Sequence, residues 1–81
     1  MGGITMEFVI CLRSVADVQE FVTLATTKPY AVTVGNSHHR ANGKNFMEMF
    51  CLDYSMPLTV RCDCTQEEFA QFRQEAERFL R

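Results

Sequence analysis

Leu58-Thr59-Val60-Arg61-Cys62-Asp63-Cys64-Thr65-Gln66-Glu67-Glu68 decides how this chain folds. Its first half alternates in polarity, which puts Leu58, Val60, Cys62 and Cys64 on one face of a strand, because successive side chains point to opposite sides. Its second half is a helix start. Thr65 followed by Glu68 forms a capping box, in which two side chains and two backbone amides satisfy each other. Beyond it, Phe69, Phe72, Ala76, Phe79 and Leu80 recur at helical spacing and make the apolar face of a closing helix. A strand apolar on one side, next to a helix apolar on one side, calls for a sheet with helices packed against it.

Working back from this stretch, Met6, Phe8, Ile10 and Leu12 alternate with Glu7, Val9 and Cys11 and predict a first strand over 6–12. Ser14 with Asp17 repeats the capping pattern and opens a helix whose stripe is Val18, Phe21, Val22 and Ala25. That helix ends at Thr26-Thr27-Lys28-Pro29, since the residue before a proline disfavours helical geometry. Ala31 to Gly35 reads as a second strand, Asn36-Ser37-His38-His39 as a turn, and His39 to Asn42 as a short third strand. Asn45 with Glu48 opens a brief helix over 46–52, and Asp53 to Pro57 is a loop before the strand quoted first, at 58–64. The order is β-α-β-β-α-β-α, an α+β class with a four-stranded antiparallel sheet and helices on one face.

At 81 residues the chain is expected to be one domain over 1–81, with 1–5 a flexible N-terminal extension. A net charge of −2 without a lysine-rich run offers no footprint for nucleic acid. No apolar run reaches the roughly 18 residues that membrane insertion requires. The start lacks a basic region followed by an apolar one, and Met6 stands where myristoylation after Gly2 wants Ser or Thr. A cytoplasmic location is expected, so the four cysteines read as buried thiols, with Cys62 and Cys64 as core fillers. The spacings C-x-C and His-His are not those of a zinc site, and no metal or cofactor is expected.

With the element order in hand, the chain resembles the HPr phosphocarriers of the bacterial sugar phosphotransferase system. The match is clearest from Ala31 to Cys64, through Gly43-Lys44-Asn45-Phe46-Met47 at the start of the short helix. The resemblance implies an open-faced β-sandwich and a place among the proteins of that system. The family's acceptor motif, Gly-x-His-(Ala or Thr)-Arg-Pro-(Ala or Ser), corresponds here to Cys11-Leu12-Arg13-Ser14-Val15-Ala16-Asp17. Ser14 replaces the phosphorylatable histidine, or Arg13 does if the register slips by one. A serine ester does not pass its phosphate on as an imidazole does. Asp17 adds a negative charge that repels an incoming anion, although Arg13 and Ser14 remain candidates for anion binding at the helix start. The family's regulatory serine corresponds to Asn45, which caps a helix but takes no phosphate. Family partners dock on positions matching Phe46, Met47 and Phe50, an adaptable apolar surface.

The expectation is therefore a non-enzymatic, HPr-related protein that docks to protein partners without relaying phosphate. One alternative is a carrier with a relocated acceptor at His38 or His39. Another is an unrelated small α+β module that binds a ligand or a metal, using the Cys62 and Cys64 pair with the histidines.

Overall fold

The computed structural model describes residues 6–80, and the extension expected at 1–5 lies outside them. Four strands, β1 (Met6–Ile10), β2 (Val32–Gly35), β3 (Arg40–Asn42) and β4 (Leu58–Cys62), alternate with the helices α1 (Val15–Thr26), α2 (Phe46–Phe50) and α3 (Gln66–Glu75) in the expected order. A 3₁₀ turn at Glu77–Phe79 follows α3. The strands form one antiparallel sheet in the spatial order β1-β4-β2-β3. Among the described residues no helix is long and apolar enough to cross a membrane.

Strand alternation sorts the two faces of the sheet. Phe8, Ile10, Val32, Val34, Ala41, Leu58, Val60 and Cys62 are buried on one side. The α1 stripe of Val18, Phe21, Val22 and Ala25 and the α3 residue Phe72 join them in a single core. Phe72 sits edge-on to Phe8 at 5.5 Å between ring centroids and lies 6.0 Å from Phe21, so one ring ties α3 to both β1 and α1. Edge-to-face aromatic pairs of this kind add about 0.5–1.5 kcal/mol beyond the area they bury. The opposite face, with Glu7, Val9, Thr33, Thr59 and Arg61, carries no helix and is exposed or half-buried.

The elements stop short of several expected bounds. β1 ends at Ile10 rather than Leu12 because the Cys11 amide leaves the ladder and donates to the Phe79 carbonyl at 2.7 Å. β4 ends at Cys62 rather than Cys64, the Asp63 amide turning to Ala31 O at 3.1 Å. α2 ends at Phe50 rather than at 52, with Cys51 as its cap. The closing helix stops at Glu75 instead of continuing through Leu80. A tighter 3₁₀ turn then brings Phe79 against Phe21 and lets Leu80 bridge Ile10.

Gly35 marks a close approach of backbone to backbone. It lies on the helix-free face, where the following turn folds back over it. A Cβ there would stand 2.3 Å from the His39 carbonyl oxygen and 2.9 Å from Arg40 Cα. Its φ is not positive, so the constraint is space and not backbone freedom. Gly35→Ala is expected to lower stability by about 1–3 kcal/mol, the usual cost of overpacking. Urea unfolding checks this as a lower midpoint with an unchanged m-value.

Candidate functional site

The start of α1 is built by two side chains. Ser14 is extended at φ −157° and its Oγ accepts from the Asp17 amide at 3.2 Å, as a cap should. The return half of the expected box is displaced: Asp17 Oδ2 accepts from the Arg13 amide at 3.0 Å rather than from Ser14. The reason lies across the fold. Asp17 Oδ1 also takes Arg78 Nη2 at 2.7 Å, and the same guanidinium pairs with Glu20. This two-sided pull swings the carboxylate outward past the cap. A carboxylate already holds the Arg13 amide, and Arg78 is spent on two acids. Arg13 and Ser14 are both exposed.

Asn45 caps α2 through Oδ1, accepting from the Glu48 amide at 3.1 Å. Here too the reciprocal bond is redirected, because Glu48 Oε1 takes the Asn42 amide at 3.0 Å and so fastens α2 to the end of β3. A five-residue helix cannot bury every apolar side chain it carries. Met49 points into the core, Phe46 is half-buried against it at 4.5 Å from the Phe50 ring, and Phe50 is 37% exposed. Met47 is the most open, at 72%. Of the three positions expected to dock partners, Met47 and Phe50 thus face solvent and Phe46 is shared with the core. The sequence does not single out Met49, since nothing in a short run of Met and Phe distinguishes its inward face.

The two histidines occupy the β2–β3 turn. Asn36 Oδ1 accepts from the His38 and His39 amides at 2.8 and 2.9 Å, which fixes the turn while leaving both imidazoles exposed. Because Ile10 pairs with Leu58, and Gly35 with Thr59, this turn projects from the same end of the sheet as the segment leading to Ser14. His38 borders a groove on the helix-free face, and His39 a shallower depression beside Glu48 and Cys51.

Cys62 pairs with Val32 at the opposite end of β2 from that turn. The expectation that the cysteine pair and the histidines could share a metal is therefore corrected: the sheet separates them by the length of a strand. Among the described residues, no three His, Cys, Asp or Glu side chains come together as a metal set. Cys62 is fully buried, and burial, with the neighbouring Cys64 thiol adding to it, pushes its pKa up to about 12. Cys64 is raised as well, first by desolvation and then by Glu68. Tyr30, beside both thiols, is raised chiefly by burial.

The groove beside His38 has no counterpart among the sequence expectations. It measures about 570 Å³ and lies between the β2–β3 turn and the loop before β4, over Gly35 and Thr59. Its signal is present in the outward positions Glu7 and Arg61, which pair across β1 and β4 as an ion pair. The role of Gly35, whose missing side chain lets the turn fold back beside this floor, is apparent only once the strands are aligned.

No family model, curated protein or solved structure matches the chain.

Neutral Cys62 is favoured by the folded state. Its contribution is complete below the unfolded thiol's titration near about 8.5, and is lost as pH rises through about 12. Unfolding free energy should therefore fall with pH across that window, and less steeply in Cys62→Val, as denaturant midpoints at stepped pH would record. In the native protein at neutral pH, iodoacetamide should modify exposed Cys51 well before Cys62, read by peptide mass mapping.

Proposed function

We propose that this chain is an HPr-related, non-enzymatic protein of the bacterial sugar phosphotransferase system, working in the cytoplasm by docking to a protein partner without relaying phosphate. The observation that carries the reading is the α1 start. Where a phosphocarrier needs an imidazole above open helix amides, Ser14 is a capping residue and the Asp17 carboxylate accepts the Arg13 amide. An incoming phosphoryl group would meet a negative charge and no nucleophile able to give the phosphate up again. In support stand the element order and the antiparallel sheet with helices on one face. So does the exposed pair Met47 and Phe50 on α2, an apolar surface of the kind that repacks against partners.

The second reading, a carrier with a moved acceptor, draws on one observation: the His38-His39 turn shares the Ser14 end of the sheet. Against it, the turn offers no helix N-terminus to hold a phosphate. Incubation with phosphotransferase enzyme I and phosphoenolpyruvate separates the two. The docking reading expects no acid-labile phosphate on the protein. Label that maps to His38 or His39, and vanishes in the doubly substituted His38→Gln, His39→Gln variant, overturns it. Where a partner is captured, Met47→Asp is expected to weaken the complex by at least about tenfold, since a charge would be buried without a mate. Isothermal titration would measure it.

A further inference from the structure

The helix-free face of the sheet has its own chemistry, independent of the docking surface. In the row that crosses β3, β2 and β4, Arg40 pairs with Gly35 and Gly35 with Thr59. Gly35 contributes no side chain, and the space beside it is taken by the His39 carbonyl and by the Arg40 stem, whose Cγ lies 3.0 Å from where a Cβ would stand. Arg61 follows Thr59 on the same face by strand alternation. The groove over this row is lined by Asn36, Ser37 and His38 of the turn and by Met56 and Pro57 of the loop before β4. Its volume of about 570 Å³ falls in the range of small-molecule sites.

The charges in the groove are unequally engaged. Glu7 lies against Arg61 Nε as an ion pair, though that N–H is not aligned for a hydrogen bond. Asp53 Oδ1 accepts from the Ser55 amide at 3.2 Å and from its hydroxyl, so one carboxylate oxygen is drawn back into its own loop. Among the described residues Arg40 has no ion-pair partner and no bond engages the Arg61 terminal nitrogens. The uncommitted donors are two guanidinium ends, the Ser37 hydroxyl and the His38 ring, against one free oxygen each on Glu7 and Asp53. Met56, which is 55% exposed, and Pro57 supply the apolar part of the lining.

We propose that this groove binds a small organic anion, its phosphate or carboxylate head held by Arg40 and Arg61 and its compact body resting on Met56 and Pro57. Guanidinium ends suit both heads, because their planar donors match a pair of oxygens. Phenyl phosphate, benzoate and inorganic phosphate serve as probes, followed by amide and arginine Nε signals in ¹H–¹⁵N spectra of the intact chain. Saturable shifts are expected at Gly35, Ser37, His38 and Arg40. The tighter of phenyl phosphate and benzoate identifies the head, and phenyl phosphate should exceed inorganic phosphate because only it reaches the apolar wall.

Arg40→Gln should weaken binding by about tenfold or more, the usual worth of a hydrogen bond to a charged group. Arg73→Gln, an exposed change on α3 with the same effect on net charge, should leave it within about twofold. Equal losses in the two variants would reduce the effect to general electrostatics and overturn the proposal, as would shifts that never saturate or that cluster at Arg13 and Ser14. Should Arg40→Gln disturb the fold, Ser37→Asp probes the same groove from the turn: a carboxylate there is expected to expel the anion, and undiminished binding would overturn the proposal. None of these outcomes depends on whether the chain accepts phosphate from enzyme I, so the two readings fail separately.

Discussion

Phe72 is the contact on which the rest of the molecule depends. Its ring is fully buried, and around it stand Phe8 from β1, Phe21 from α1 and Tyr30 from the segment before β2. The Lys28 ammonium lies 5.4 Å from the ring centroid while pairing with Glu75 on the same helix as Phe72. A domain of this size has little apolar area to spare, and a single ring that joins three elements does more than its own burial suggests. Sheet and helices are held in one relative placement, and the α1 start, the α2 patch and the β2–β3 turn take their positions from it.

That placement has opposite consequences at the two ends of the sheet. At the Cys62 end the surroundings are apolar, thiols are kept neutral, and Tyr30 is held protonated by burial. At the Ser14 end the surroundings are polar and the carboxylates are committed to partners: Asp17 and Glu20 to Arg78, and Glu48 to the Asn42 amide. The opening of α1 is thereby a self-satisfied structural joint.

Much of the fold was legible in the sequence because its signals are local. The alternation of Leu58, Val60 and Cys62, the stripe of Val18, Phe21, Val22 and Ala25, and the Thr65–Glu68 box each depend on neighbours a few residues away, and each is present. The portions that differ depend on distant chain. Asp17 does not close its box on Ser14 because Arg78, far along the sequence, claims its other oxygen. The last helix breaks at Ala76 because β1 captures the residues beyond it. The helix-free groove needs the register of Gly35 against Arg40 and Thr59, which no local pattern encodes. Ser14, Asn45 and Met47 could be placed from spacing alone, whereas what surrounds Ser14 could not.

The bridge between Ile10 and Leu80, with the Cys11 amide bonded to Phe79, bears on how the molecule avoids sticking to itself. An outer strand with unmet backbone groups is a template for another chain, and sheets commonly blunt such borders. Here Phe79 and Leu80 lie along the C-terminal part of β1 and occupy that border. The other border, β3, has only Arg40, Ala41 and Asn42, with an arginine and an asparagine turned outward. Unwinding the 3₁₀ turn would uncover the β1 border and at the same time withdraw Phe79 from its place against Phe21 in the core. The same two residues, Phe79 and Leu80, thus seal a packed interior and screen a strand edge, so that loosening them would expose backbone able to pair with another chain.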